Sequence, residues 1–246
     1  MLASELINAV SGYIPLSEFS RTKNAKALDD DAASNTILAV RNLCSSEAQN
    51  HLKIDLSSFV LIADSDSNAS GESEDNDGLQ LAKELAETAR AAAPAHACSS
   101  VLAGHASESD DYADIGILLG SGAASIDLQT GSTEKNARSV LSCLGLDALL
   151  SSEVYSMSRV VSSSLRLTSF FQINILSLSE ETKAPIAFKA SVQDSDVKHL
   201  ASLLEGLSHR FAFSVSQGST AFHFLLGQVP GSAAWAGLLG VGTWSD

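Results

Sequence analysis

Cysteine pairs, a basic leader, a long apolar run and basic residues in its middle third are what this sequence lacks. Its three cysteines, Cys44, Cys98 and Cys143, are odd in number and widely spaced, with no CxxC pair. That excludes a disulfide framework and suits a reducing compartment. The opening MLASELINAVSGYIPLSEF carries Glu5 and no basic n-region, so it does not read as a signal peptide. No apolar stretch approaches the roughly 18 residues that a membrane span requires. Asn68-Ala69-Ser70 is a formal glycosylation sequon, but without a secretory signal it reads as chance. The expectation is an intracellular, cytoplasmic chain with no membrane span.

What is present is ample core material and a polarised charge. An apolar fraction of 45% beside 18% charged residues is a globular composition, not a disordered one. Between positions 54 and 134 there are fifteen acidic residues and two basic ones, Lys83 and Arg90, which places −13 of the total −14 in one third of the chain. An acidic face of this kind repels phosphate backbones, so no nucleic acid is expected there. Other protein chains with basic surfaces, or divalent cations, fit better; keeping the chain soluble is the plainest role for such loops.

Element signals differ between the two halves. A short helix is expected near Ala3–Val10 and another through AASNTILAVRNLCSSEAQ, capped by Asp30 or Asp31, with Ile37, Val40, Leu43 and Cys44 on one face. Ile54–Ala63 reads as a strand whose last part is apolar on both faces. A helix follows over Gly78–Ala93, capped by Asp77 with Gln80 and striped by Leu81, Leu85, Ala89 and Ala92. Ala97–Ala103 and Ile115–Leu119 read as further strands, and strand, helix, strand at this spacing suits a parallel crossover. Glu134 to about Leu165 reads as helix broken near Gly145–Ser152. Then come an alternating hairpin over 171–192, a helix striped by Val197, Leu200, Leu204 and Leu207, and a hairpin turning at Gln217-Gly218. The tail AAWAGLLGVGTWSD is expected as a last helix or an edge strand, its glycines weakening the helix.

The fold class implied is mixed α+β. It has an N-terminal βαβ-containing α/β lobe with acidic loops over 1–130. An α+β lobe with an antiparallel hairpin–helix–hairpin sheet follows over 131–246. In element order alone the second half is similar to profilin-like and roadblock-like scaffold domains.

The stretch FVLIADSDSNASGESEDNDG carries the strongest hint of chemistry. Asp64, Asp66 and Asn68 fit the first ligand positions of a calcium loop, but Ala69 stands where the turn demands glycine and Asp75 where a longer Glu is needed. What survives is Asp64 with Asp66, two hard oxygen ligands after a buried strand, suited to Mg²⁺ or Mn²⁺. His96, Cys98 and His105 lack a fourth zinc ligand. Asp110, Asp111 and Asp114 near His105 form a possible acid–base cluster, with a solvated loop the simpler account. No Ser nucleophile lies in a G-x-S-x-G setting. The expectation is therefore no catalytic residue and no cofactor beyond such a metal. Glu72, Glu74, Asp75, Asp110 and Asp111 are the candidate contacts for a basic partner. Trp235, Leu238 and Trp244 in the apolar tail are expected either to close the core or to dock on another chain. The leading function is a non-catalytic interaction protein: a subunit, adaptor or assembly factor. The alternative is a divalent-metal-dependent hydrolase or transferase of phosphate esters through Asp64 and Asp66.

Overall fold

A computed structural model describes residues 12–20, 22, 31–63, 74–96, 98–104, 107, 110–120, 133–150, 154–156 and 195–243. Their strands are β1 (Tyr13–Pro15), β2 (Lys53–Asp55), β3 (Val60–Ala63), β4 (Ile115–Leu119), β5 (Val154–Ser156), β6 (Ser208–Gln217), β7 (Thr220–Gln228) and β8 (Trp235–Thr243). The longer helices are α1 (Asp31–Leu43), α2 (Ser46–His51), α3 (Glu74–Ala92), α4 (Thr133–Cys143) and α5 (Ser195–Gly206). All eight described strands join one sheet in the order β1-β2-β3-β4-β8-β7-β6-β5. The class is α+β with a mixed sheet: β3 and β4 are parallel, and every other neighbouring pair is antiparallel.

Two apolar clusters lie on the two faces of this sheet. One contains Ile37 and Val40 of α1, Val140 and Leu141 of α4, and Leu61, Ile117, Phe213, Phe224 and Leu239. The other contains Ala82, Leu85 and Ala89 of α3, Leu200 and Leu204 of α5, and Val60, Leu118, Leu225 and Leu238. Strand alternation explains the division, because successive side chains point to opposite faces. It also explains why β3 and β4 are apolar throughout, since both of their faces are covered. Phe213 stacks on Phe224 at 4.6 Å between ring centroids, a cross-strand pair in the β6–β7 register.

The unit β3–α3–β4 is the expected parallel crossover. Helix α3 sits unusually low on it. A Cβ at Gly116 would lie 2.7 Å from the Ala82 carbonyl oxygen and 2.9 Å from Val60 Cγ2. The buried face of α3 is correspondingly small, with Ala82, Ala86, Ala89 and Ala92 around Leu85. Leu85, Ala89 and Ala92 of the expected stripe are buried, whereas Leu81 is only partly buried and Ala82 takes its place at the first turn of that face.

Several expectations change. Ile54–Ala63 is two antiparallel strands, β2 and β3, not one. The Asp55 carboxylate accepts the Ser57 N–H at 2.8 Å and the Ser57 hydroxyl, which reverses the chain. Helix α3 begins at Glu74, so Asp77 lies inside its first turn instead of capping it; carboxylates are favoured there by the free N–H groups. Ala97–Ala103 is no strand: residues 98–104 form a buried turn. Its apolar side chains mimic a strand in sequence, but its amides are satisfied by a side chain, described below. α4 ends at Gly145 (φ +61°), where Leu146 N–H reaches the Leu141 carbonyl at 2.8 Å, a Schellman closure. Val154–Ser156 beyond it is strand, not helix. The helix near Ala3–Val10 and the hairpin over 171–192 lie outside the described residues.

The tail is neither helix nor edge. Strand β8 is central, paired with β4 on one side and β7 on the other, so the segments 1–130 and 131–246 contribute to one sheet. Trp235 is buried and meets Phe211 edge-to-face at 5.8 Å, and Leu238 is fully buried on the opposite face. Of the two roles expected for them, they close the core and are not surface docking residues. Glycine is needed in β8 for packing. A Cβ at Gly237 would lie 2.0 Å from the Leu225 carbonyl oxygen, and one at Gly240 would lie 2.5 Å from Asp114 Oδ1. Gly237→Ala is therefore expected to destabilise the chain by about 3 kcal/mol in urea denaturation, as overpacking against backbone does. A loss within about 0.5 kcal/mol would show that the strand relaxes freely.

Candidate functional site

The polar side chains that the sequence put near one another separate in space. Because α3 runs antiparallel to β3 and β4, its first turn stands at their carboxyl ends: Gly78 packs on Leu118, whereas Arg90 reaches the Ser58 and Asp114 carbonyls at 3.2 and 3.5 Å. The helix has 19 residues, about 28 Å at 1.5 Å per residue. Glu74, Asp75 and Asp77 thus lie at one end of the sheet. Asp110 and Asp111, both exposed, lie at the other, where Asn35 of α1 donates to the Asp111 carbonyl at 3.0 Å. The described acidic positions thus stand at both ends of the sheet. Asp64, Asp66, Glu72 and Trp244 lie outside the described residues, as does His105.

Asp114 is fully buried and has a structural task. Its Oδ1 accepts from the Ser100 hydroxyl at 2.7 Å and the Leu102 N–H at 3.4 Å, and its Oδ2 accepts from the Val101 N–H at 2.5 Å. One carboxylate therefore caps the whole turn 98–104 and pins it over Gly240. Burial pushes its pKa up to about 6, against the hydrogen bonds and Arg90, which pull it down. Asp114 is not free to act with Asp110 and Asp111 as an acid–base cluster. Asp55 is held in a comparable way: Lys83 Nζ lies 2.6 Å from its Oδ2. Burial works to raise the Asp55 carboxyl, but Lys83 and Ser57 outweigh it and hold it below the ordinary value. Glu87 accepts from the Ser58 hydroxyl at 2.6 Å, and Arg90 lies over the Phe59 ring at 5.3 Å. Lys83, Glu87 and Arg90 are spaced along one side of α3 and clamp the β2–β3 turn, including Phe59 at φ +55°.

A concave site lies elsewhere, at the carboxyl end of β3. A cleft of about 350 Å³ is lined, among the described residues, by Ser45, Glu47, Ala48, His51 and Leu52 of one segment, by Ser142, Cys143, Gly145 and Asp147 of another, and by Ala63. This is the end of a parallel strand pair where open α/β sheets place ligands. One wall is built by close approach. Ser45 caps α2 by accepting the Ala48 N–H at 3.2 Å, and Ser45 N–H donates to the Gly145 carbonyl at 3.2 Å. A Cβ at Gly145 would lie 2.0 Å from Ala48 Cβ, so only glycine lets the two segments meet. Below them, the Cys44 thiol lies 3.3 Å from the Leu144 carbonyl.

The lining favours some chemistry over other chemistry. Among the described residues its ionisable groups are Glu47, Asp147, His51 and Cys143, with no Lys or Arg. Burial pushes the Cys143 thiol up, and burial with the nearby Asp147 charge pushes Cys44 up to about 12. Neither thiol is poised as a thiolate nucleophile. Among the described residues no three His, Cys, Asp or Glu side chains gather to hold a metal ion. Cys98 is buried and also pushed up to about 12, first by burial and then by Asp114 and Asp110. His223, on β7, has both ring nitrogens shut off from solvent without a hydrogen-bond partner among the described residues, and burial pushes its pKa down to about 4. It is a packed histidine.

Sequence reasoning missed Glu47, His51 and Asp147. The only local signal is Ser45 as a helix cap; nothing in the sequence brings 45–52 against 142–147. Compared with protein-family models, characterised proteins and solved structures, the chain gives no match.

The Asp114 cap gives a pH prediction. Its folded pKa, about 6, lies above the ordinary value of 3.8, so the stability this shift supplies is complete below the lower value and lost as pH rises through the higher one. The stability advantage of wild type over Asp114→Asn is expected to shrink between about pH 4 and about pH 7 in urea titrations. An advantage that widens with pH would show that the carboxylate is stabilised by its three donors more than burial opposes it.

Proposed function

We propose that this chain is a non-catalytic interaction protein, a subunit, adaptor or assembly factor of a larger complex, that meets a partner of basic character. The observation that carries this reading is the sign of the cleft at the carboxyl end of β3. Among the described residues it presents Glu47 and Asp147 with His51 and no Lys or Arg, which repels phosphate groups and suits basic ones. The same end of the sheet carries the first turn of α3, with Glu74, Asp75 and Asp77. The most strongly held carboxylates, Asp55 and Asp114, are occupied in fastening turns. Purification of the full chain from its own cells, followed by native mass spectrometry, is expected to give a stoichiometric complex that dissociates as salt is raised. Recovery as a monomer alone at cellular concentration would overturn the reading.

A second reading has one observation in its favour. Ala63 lines the cleft and Asp64 is the next residue in the sequence, which keeps a divalent-metal-dependent hydrolase or transferase using Asp64 and Asp66 as the second reading. Thermal melting decides this one. Millimolar Mg²⁺ or Mn²⁺ should then raise the Tm, and replacing both aspartates by Asn should abolish the rise. An unshifted Tm with either ion counts against it.

A further inference from the structure

The geometry points to the cleft between α2 and the Gly145 turn as a receptor for one arginine or lysine side chain of a partner polypeptide. The inference rests on the interaction reading and narrows it to a place and a chemistry.

Three observations carry it. The first is shape. A cleft of about 350 Å³ is at the small end of ligand sites, which run from roughly 300 to 1,000 Å³. That is room for one long side chain and its backbone, not for a folded surface. The second is rigidity. The wall is fixed by the Ser45–Gly145 hydrogen bond, by the Cys44–Leu144 contact and by the contact at Gly145 that excludes any Cβ. A preformed wall spares the ordering cost that weakens binding to loose loops. The third is the arrangement of polarity. Glu47 and Asp147, both exposed, come from the two segments that line the cleft, and Ala48, Leu52 and Ala63 add apolar surface to the lining. A long basic side chain matches that sequence of surfaces: its methylenes lie on the apolar part and its charged head meets the carboxylates.

Other candidates are weaker. Two carboxylates on exposed walls with no third ligand among the described residues do not make a cation site. A phosphate-bearing ligand meets the wrong sign. A purely apolar peptide leaves both carboxylates facing it without a partner, which costs binding energy.

The test uses the full chain and a fluorescein-labelled eight-residue peptide of alternating Arg and Ser, followed by fluorescence anisotropy. Wild type is expected to bind it, with a Kd that rises severalfold between low and moderate salt. The same peptide with citrulline for Arg, isosteric but uncharged, should bind at least tenfold more weakly. The double variant E47Q/D147N changes two exposed groups outside the core and is expected to weaken binding tenfold or more while leaving the Tm in place. The control E205Q, at an exposed acidic residue of α5 outside the lining, should bind as wild type does. Equal binding by E47Q/D147N and wild type, or no binding by wild type, overturns the inference. If E47Q/D147N still forms the stoichiometric complex found in cells, the cleft is not the contact and the interaction reading stands. If no complex exists in the first place, the interaction reading itself fails.

Discussion

The pairing of β8 with β4 is the contact on which the rest of this architecture depends. It joins strands more than a hundred residues apart in sequence, and it makes one sheet of a crossover unit and an antiparallel meander. Without it β4 would offer an open row of backbone donors and acceptors, and the apolar faces of β3 and β4 would lack half of their cover. The pairing is possible because β8 is built largely of small residues. At Gly237 the neighbouring strand backbone occupies the place of a side chain, and at Gly240 the Asp114 carboxylate does.

Asp114 turns that closeness into a second fastening. A buried carboxylate facing three donors is an uncommon way to hold a turn, because taking the charge out of water costs much of what the hydrogen bonds supply. The raised pKa of Asp114 records that balance. Here the carboxylate satisfies amides that would otherwise be buried without partners. The same logic governs the neighbouring contacts of α3, where Lys83, Glu87 and Arg90 fasten the β2–β3 turn and Arg90 also reaches the Asp114 carbonyl. Of the polar groups that look like chemistry in the sequence, Asp114 is thus spent on local structure. The carboxylates of the cleft at the carboxyl end of β3, Glu47 and Asp147, are exposed.

The parts of the fold legible in the sequence were those with long periodic signals. The β6–β7 hairpin follows from alternation through Phe211, Phe213, Phe222 and Phe224 with Gly218 at the turn, and α5 from Leu200 and Leu204. Those patterns repeat enough times to outweigh a local accident. Shorter signals were ambiguous. Val101-Leu102-Ala103 is as apolar as a strand, but only the distant Asp114 makes it a turn. Ile54–Ala63 looks continuous, but the Asp55 side chain bends it back. The tail reads as weak helix because its glycines are unfavourable there; in a strand between two others they are what permits contact.

By itself the sequence determined the mixed α+β class, the parallel crossover, the buried character of Phe59–Ala63, and the concentration of negative charge in one third of the chain. These depend on neighbours along the chain, and periodicity and composition report on neighbours. Tertiary structure alone decided that β8 is central, that the acidic residues divide between two ends of the sheet, and that Glu47 and Asp147 face one cleft. Each of those depends on which distant segments meet. Such meetings are set by the shapes of surfaces that exist only after folding, where one missing Cβ, at Gly145 or Gly237, decides whether two segments touch.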